Sequence, residues 1–433
     1  MAPPVSFSQA VLEGLAPDGG LYVPSALAQV APRTWHDWRG ASFPQVATGL
    51  AQVLVGDEIE PAALGALIAD ALNFPIPVVR LADDLFVVEL FHGPTFAFKD
   101  VGARMLARLM SHLQPRDASP LTVLVATSGD TGSAVAQAFF GVPRTRVVVL
   151  YPDGQVSAVQ EAQFATLAGN VTAVAVQGNF DDCQRLAKQA FADATLSARV
   201  RLTSANSISL GRLVPQLSYH AYASLQAPAD APVTLSVPSG NFGNLAAGVM
   251  AWQIGAPIAG FIAATTVNDM VPRYLESGRV EPRPSVATLA NAMDVGNPSN
   301  LERLRWMFHD QLDPLRALVT ASVHTDEQVR AAIAELDRRY GYVADPHTAI
   351  AYLGAIGIGQ AAAAPSHPRT LALSHFRTTR MFLATAHPAK FREVVEPVIG
   401  RPVPLPPALA DALARPRQVE RITPTLAELA KLL

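Results

Sequence analysis

Residues 121–152 read LTVLVATSGDTGSAVAQAFFGVPRTRVVVLYP, and this stretch decides the fold. Two apolar runs rich in β-branched residues, TVLVAT and RVVVLYP, flank the amphipathic stretch TGSAVAQAFF. Short apolar runs bounded by turns are typical of buried parallel strands, and the amphipathic stretch between them predicts a crossover helix. The alternation continues through VTAVAVQG and FDDCQRLAKQAFADA. It predicts a parallel sheet with helices on both faces.

A second series of the same kind begins at VTLSVPSG and continues through NLAAGVMAWQIG and GFIAAT. It returns at MFLATAHP after IGIGQAAAAPSHPRT, whose composition predicts a surface connection. The N-terminal part of the chain lacks this rhythm and predicts short helices and loops broken by proline. We therefore predict an α/β fold of two doubly wound α/β units preceded by an N-terminal accessory domain. The predicted boundaries are 1–85 for the accessory domain, 86–220 for the first unit and 221–433 for the second.

Composition limits the possible functions of the chain. Its 433 residues are half hydrophobic and 16% charged, which excludes a mainly disordered protein. Its 33 basic and 36 acidic residues are interspersed without a basic stripe, so we expect no nucleic-acid partner. The uncharged run Phe242–Val267 is long enough to span a membrane, but Gly255 and Pro257 interrupt it. We expect a buried helix, a turn and a buried strand there, and no membrane partner.

The remaining compositional signals predict a cytoplasmic protein without a metal site. The first residues, MAPPVSFSQAVLEGLAPDGG, have neither a basic leader nor an apolar core of signal-peptide length. A lone cysteine, Cys183, cannot form an internal disulfide, and we expect it to be an inert helical residue. The ten histidines are dispersed, and HExxH, CxxC and GxSxG motifs do not occur.

Lys99 is the first candidate for chemistry. The segment FHGPTFAFKDVGARMLARLM joins a proline-containing turn to a helix with an apolar face of Met105, Leu106, Leu109 and Met110, and Asp100 is placed to cap that helix. Phe96 and Phe98 precede Lys99, and partial desolvation together with the helix N-terminus would lower the pKa of its amine. A neutral amine is what a Schiff base requires. The alternative is an ordinary solvated lysine at a helix start.

Two strand-to-helix turns are candidate anion sites. One contains Ser128, Gly129, Asp130, Thr131 and Gly132, and the other contains Ser239, Gly240, Asn241, Phe242, Gly243 and Asn244. Both follow predicted parallel strands, where ligands of open α/β sheets bind, and a helix N-terminus favours negative charge. Neither turn matches the GxGxxG or Walker fingerprint. Ordinary capped turns remain the alternative.

Two further stretches are polar where the chain otherwise favours apolar residues. LTSANSISLGRLVPQ contains Asn206, Ser207 and Arg212, and LATAHPAKF contains Thr385 and His387. Hydroxyls, an amide and a guanidinium suit a small anionic ligand. Helix capping and a routine turn are the alternatives.

In family order, the segments GGLYVP, FHGPTFAFKD, TSGDTGSAVA, SANSISLGRL, SVPSGNFGN, NAMDVGNPSN, DPHTAIAY and TAHPAKF resemble the threonine synthases. These enzymes belong to the tryptophan-synthase-β-like group, the fold-type II pyridoxal-phosphate enzymes. The resemblance is greatest to the bacterial and fungal branch with an extended N-terminal domain, and it covers nearly the whole chain.

The resemblance implies pyridoxal 5'-phosphate as cofactor and a role for each candidate residue. Lys99 matches the lysine that holds the cofactor, and Thr385 matches the hydroxyl residue that faces its ring nitrogen. Asp130 stands where many relatives have an asparagine that contacts the phenolic oxygen of the cofactor. The turn that wraps the cofactor phosphate is matched by Ser239, Gly240, Asn241, Phe242, Gly243 and Asn244. Ser128, Gly129 and Thr131 match the loop for the substrate carboxylate, and the substrate phosphate is assigned to Asn206, Ser207 and Arg212.

The implied reaction converts O-phospho-L-homoserine and water to L-threonine and phosphate, in a monomer or homodimer. The nearest alternative is a threonine-synthase-like phospho-lyase that eliminates phosphate from an O-phosphorylated amino acid. A hydroxy-amino-acid dehydratase fits less well because its substrates need no phosphate pocket. A protein that binds the cofactor without turnover is a third alternative, and a turnover assay separates it from the enzymes.

Overall fold

The computed structural model describes residues 3–115, 118–228, 231–361 and 379–433. The described strands form one sheet of six strands and one of five. In chain order these strands are β1 (Val78–Arg80), β2 (Leu85–Glu89), β3 (Leu121–Ala126), β4 (Thr145–Pro152), β5 (Val171–Val176), β6 (Arg201–Ser204), β7 (Val233–Pro238), β8 (Ile258–Thr265), β9 (Val319–Val323), β10 (Thr379–Ala384) and β11 (Val419–Ile422).

Helices cover these sheets and build the N-terminal part of the chain. They are α1 (Phe7–Glu13), α2 (Pro32–Asp37), α3 (Phe43–Val55), α4 (Pro61–Ala71), α5 (Lys99–Leu113), α6 (Asp130–Phe139), α7 (Ala158–Ala165), α8 (Phe180–Ala192), α9 (Ala194–Arg199), α10 (Leu210–Leu213), α11 (Leu217–Gln226), α12 (Gly243–Gln253), α13 (Met270–Ser277), α14 (Leu301–Met307), α15 (Leu312–Leu318), α16 (Asp326–Tyr340), α17 (Pro346–Ala361), α18 (Arg392–Ile399), α19 (Pro407–Ala414) and α20 (Leu426–Leu432). Helices α1 to α4 precede every described strand, as the sequence predicts. No described helix has the length and hydropathy that crossing a membrane requires.

The six-stranded sheet has the order β1-β2-β10-β7-β8-β9, and its strands are parallel apart from β1. Helix α17 packs closely on one face of this sheet. A Cβ atom on its Gly354 would lie 2.5 Å from the hydroxyl oxygen of Ser236 in β7, so glycine permits this close approach. The alternate β7 residues Leu235 and Val237 join the hydrophobic core that includes α12. The sheet is therefore covered on both faces, as expected for a buried parallel sheet.

The five-stranded sheet has the order β11-β5-β4-β3-β6, and all its pairs are parallel. Every residue of β3 is buried, which explains why its sequence is a continuous apolar run. Cys183 lies on α8 in the core beside this sheet, where burial raises the pKa of its thiol to about 12. The prediction of two parallel α/β units is confirmed.

The sheets do not follow the predicted boundaries of 1–85, 86–220 and 221–433. Strand β2 lies across the first boundary and pairs with β10 of the six-stranded sheet. Strand β11, from the C-terminal end of the chain, pairs with β5 of the five-stranded sheet. Pairing between distant segments decides these memberships, and local sequence patterns do not report it.

Local predictions had mixed outcomes. The run Phe242–Val267 forms α12 and β8 with a turn between them, as expected. Asp100 does not cap α5, because the helix begins at Lys99 and the Asp100 carboxylate instead accepts bonds from the Thr95 amide and hydroxyl at 2.8 and 2.7 Å. The predicted connection in IGIGQAAAAPSHPRT begins inside α17, and its residues from 362 on lie outside the described part of the chain.

Candidate active site

The carboxyl ends of strands from both sheets meet at one place. Residues after β7 and β10 come from the six-stranded sheet, and residues after β3 and β6 come from the five-stranded sheet. The Asn241 amide donates to the Ser207 hydroxyl at 2.6 Å, and the Lys99 amine lies 3.5 Å from the Asp130 carboxylate. These two contacts join the sheets, so the loops predicted separately from sequence form one site.

Lys99 is the first residue of α5, and its side chain is 13% exposed. Its Nζ lies 4.8 Å from the centre of the Phe98 ring. Burial lowers the pKa of the amine, the Asp130 carboxylate opposes this, and the charges of Lys390 and Arg212 add to the lowering. The partly desolvated amine predicted from sequence is therefore present.

Asp130 is held by two donors that the sequence did not suggest. The Lys390 amine lies 2.7 Å from Asp130 Oδ1, and the Gln160 amide donates to the same oxygen at 2.9 Å. Burial alone would raise the pKa of Asp130, but the charges of Lys390 and Lys99 outweigh it and keep the pKa well below its usual range. Lys390 stands in TAHPAKF, where a cation inside an apolar segment was the one available signal.

The turn that contains Asp130 has a fixed shape. The Thr127 hydroxyl accepts the amides of Gly129 and Gly132 at 2.9 and 2.8 Å. Gly129 has φ of +140° and lies against Gln160, so a side chain there would be both strained and blocked. Ser128 and Thr131 on either side are half-buried. The turn thus offers two hydroxyls at the N-terminus of α6, a suitable place for a carboxylate.

The turn from Ser239 to Asn244 joins β7 to α12, and its backbone amides are the groups that can bind a ligand. Phe242 adopts the left-handed conformation, with φ of 59°, at the point where α12 begins. A Cβ atom on Gly240 would lie 2.6 Å from Met293 Cα, so only glycine fits. The first amides of a helix have no partner inside it, and they favour an anion.

The polar side chains of this turn are largely used within the protein. The Ser239 hydroxyl donates to the Val237 carbonyl at 2.9 Å, and the Asn241 carbonyl oxygen of the side chain accepts the Ser299 amide. Asn244 accepts from the Tyr219 hydroxyl at 2.7 Å, while its amide nitrogen has no partner among the described residues. Asn244 therefore contacts α11, and the groups that this turn leaves for an anionic ligand are mainly those of its backbone.

Arg212 lies in α10 at the end of the polar stretch that follows β6. It is 2% exposed, and burial lowers the pKa of its guanidinium to about 10. Its Nη1 donates to the Ala205 carbonyl at 2.8 Å, its Nε has no partner, and it forms no salt bridge within the described residues. The Asn206 side-chain oxygen nearby is also buried without a partner. The three residues predicted for the substrate phosphate thus include two with unused polar atoms.

Thr385 follows β10 and is 5% exposed. Its carbonyl accepts the amide of Phe98 at 2.9 Å, one residue before Lys99. The His387 amide likewise donates to the Phe96 carbonyl at 3.1 Å. Thr385 and Lys99 are therefore fixed relative to each other by backbone bonds.

A clamp around Arg303 supports the site and was not predicted. Arg303 is 2% exposed, and its guanidinium donates to four oxygen acceptors. These are the carbonyls of Tyr22, Ser207 and Ile208 and the side-chain oxygen of Asn300. Asn300 in turn donates to the Asn241 carbonyl at 3.0 Å. The clamp connects the N-terminal part of the chain with the loops after β6 and β7.

The described residues have the groups that pyridoxal phosphate needs. Lys99 supplies a partly desolvated amine for covalent attachment. The start of α12 supplies free amides for the phosphate, with glycine at the close approach to Met293. Thr385 follows β10, the strand next to β7, and its hydroxyl would be available to the ring nitrogen. The site therefore fits the cofactor.

Comparisons with known proteins agree with this fit. The family model of pyridoxal-phosphate dependent enzymes matches residues 73–373, and those of the threonine synthase N terminus and C-terminal regions match 1–72 and 355–432. Threonine synthase from Serratia marcescens is 42% identical over 431 residues, which cover 99% of this chain and 96% of that protein.

Two solved structures extend the likeness to the fold. The crystal structure of Escherichia coli threonine synthase is 40% identical with a TM-score of 0.88, covering 99% of this chain and 96% of that one. The Brucella melitensis threonine synthase with bound pyridoxal phosphate is 34% identical with a TM-score of 0.91, covering 100% and 96%. This chain therefore belongs to the threonine synthase family of pyridoxal-phosphate-dependent enzymes.

Proposed function

We propose that this chain converts O-phospho-L-homoserine and water to L-threonine and phosphate. The observation that carries the proposal is Arg212, a buried guanidinium without a carboxylate partner in the described chain, close enough to Lys99 for its charge to lower the pKa of the amine. A buried cation without a partner is costly, and an anionic substrate group would offset that cost. A phosphate matches the planar array of donors on a guanidinium.

Lys99 is the reactive amine of the proposed mechanism. When bound, pyridoxal phosphate supplies an electron-withdrawing ring that stabilises negative charge on the substrate carbon next to its amine. Lys99, once free of the cofactor, removes the proton from that Cα atom and later returns one. Because burial lowers the pKa of Lys99, a larger fraction of this amine is in the neutral form that can accept a proton.

The remaining residues hold the substrate at its two charged ends. Ser128 and Thr131 and the N-terminus of α6 bind the substrate carboxylate, and Arg212 with Asn206 and Ser207 binds the phosphate. Fixing both ends positions Cβ to lose a proton and Cγ to lose phosphate, after which Cγ gains a proton to become the methyl group and Cβ gains the hydroxyl of water. Thr385 offers the ring nitrogen a hydroxyl instead of a carboxylate, which moderates the electron withdrawal of the ring.

Product analysis tests the proposal. Purified protein with pyridoxal phosphate and O-phospho-L-homoserine should release L-threonine and phosphate in equal amounts, and homoserine without the phosphate should be nearly inert. In deuterium oxide, solvent hydrogen should appear at Cα and in the methyl group of threonine. Release of phosphate with 2-oxobutanoate as the main product would contradict the proposal and identify a phospho-lyase.

A further inference from the structure

Lys390 is a buried cation beside the reactive amine. The chain contains four lysines, and the two outside the site, Lys188 and Lys431, are exposed. Lys390 is 0% exposed, and its amine lies 2.7 Å from Asp130 Oδ1 and 2.9 Å from the Thr95 carbonyl. A buried lysine is rare unless its charge is compensated. The role of Lys390 therefore depends on Asp130, the carboxylate that compensates its charge.

The two oxygens of the Asp130 carboxylate face different cations. Oδ1 receives Lys390 and the Gln160 amide, and Oδ2 faces the Lys99 amine at 3.5 Å. Lys390 and Asp130 together carry no net charge, so Lys99 lies beside a neutral pair. If Lys390 were absent, Lys99 would be the nearest cation to a buried carboxylate, which would favour the ammonium form of Lys99.

We propose that Lys390 is a positioning residue that neutralises Asp130, so that Lys99 remains available as a neutral amine. The inference rests on the proposed function, because it takes Lys99 as the reactive amine. The ionised pair presents no net charge to the cofactor. Lysine suits this position because its ammonium is a compact point charge, whereas a guanidinium is larger and planar.

The charged groups that act on Lys99 are Asp130, Lys390 and Arg212. Changing the first two in a cycle separates their effects while Arg212 stays constant. The variants are Lys390→Met, Asp130→Asn and the double variant, with Lys188→Met as an exposed control on α8. The measurement is the rate at which pyridoxal phosphate attaches to the cofactor-free full-length chain as a function of pH, because attachment requires the neutral amine.

Lys390→Met should raise the pH of half-maximal attachment rate by about one to three units, the range expected when a carboxylate is left facing an amine. Asp130→Asn should lower it, because Lys390 then acts on Lys99 without compensation. The double variant should return close to wild type, and Lys188→Met should not change it. If Lys390→Met does not fold, the comparison of Asp130→Asn with the double variant still decides.

Equal values for Asp130→Asn and the double variant, or for Lys390→Met and wild type, would overturn the role of Lys390 and leave the proposed function intact. Borohydride reduction and peptide mapping of wild type give the separate check on Lys99. Attachment at another lysine would contradict the site assignment itself, and with it this inference.

Discussion

Two buried arginines of this protein have the same burial and different partners. Arg212 and Arg303 are each 2% exposed, and burial lowers the pKa of each guanidinium to about 10. Arg303 donates to four oxygen acceptors, whereas Arg212 donates to one carbonyl and leaves its Nε without a partner in the described chain. A guanidinium whose donors are satisfied stabilises the fold. A buried guanidinium whose donors are not satisfied destabilises the fold unless a ligand accepts its remaining hydrogen bonds.

The largest expected effect is on stability, from Arg303→Met. The change leaves the acceptors of Tyr22, Ser207, Ile208 and Asn300 without their donor, and each orphaned buried acceptor costs about 1–3 kcal/mol. We expect the free energy of unfolding to fall by at least about 3 kcal/mol, measured by urea denaturation. An Arg303→Met variant as stable as wild type would show that the clamp has no structural role.

Arg212→Met should lower catalytic activity without lowering the stability of the fold. Its stability should equal or exceed that of wild type, because the change removes a buried charge that has no carboxylate partner among the described residues. We expect kcat/KM for O-phospho-L-homoserine to fall by about ten- to a hundredfold, which corresponds to the 1.5–3 kcal/mol of a charge-assisted bond. The control is Arg185→Met, an exposed arginine paired with Asp182 on α8. A stable Arg212→Met variant with full kcat/KM would remove Arg212 from the phosphate site.

A smaller effect is expected from Arg212→Lys. Lysine keeps the positive charge but loses the planar pair of donors that matches two phosphate oxygens. The kcat/KM of this variant should lie between those of wild type and Arg212→Met, with KM carrying most of the loss. Identical steady-state constants for Arg212→Lys and Arg212→Met would show that charge at this position contributes nothing.

The same two arginines show what the sequence could and could not predict. Arg212 was a candidate because it stands in LTSANSISLGRLVPQ, which is polar where the chain otherwise favours apolar residues, and that contrast is a local property of the sequence. Arg303 stands in LERLR, where a charged residue normally indicates the solvent face of a helix. Its burial depends on carbonyls from the distant Tyr22 and Ser207, which no local pattern reveals.

The other features of the fold and site were likewise predicted where the local sequence marks them and missed where they depend on distant segments. The sequence predicted the strands β3, β4, β5, β7, β8 and β10 and the turns after β3 and β7, because apolar runs and small residues mark them locally. The short strands β1, β6, β9 and β11 carry no such apolar run and were not predicted. The pairing of Lys390 with Asp130 and of β11 with β5 was missed, because each joins segments that are far apart in the chain. Asp100 was assigned as a cap from its position, but the Thr95 amide and hydroxyl bind its carboxylate instead.

The most direct test of Arg212 as the partner of the substrate phosphate is the stabilisation of the holoenzyme by inorganic phosphate. Cofactor-loaded protein is required, so that the turn from Ser239 to Asn244 is already occupied and added phosphate reports on the Arg212 pocket. The free energy of unfolding is measured against phosphate concentration at constant ionic strength maintained with chloride. Wild type should gain about 2.7 kcal/mol at a hundredfold excess of phosphate over Kd, and Arg212→Met should gain nothing. Equal stabilisation of both proteins would contradict the claim that Arg212 is the partner of the substrate phosphate.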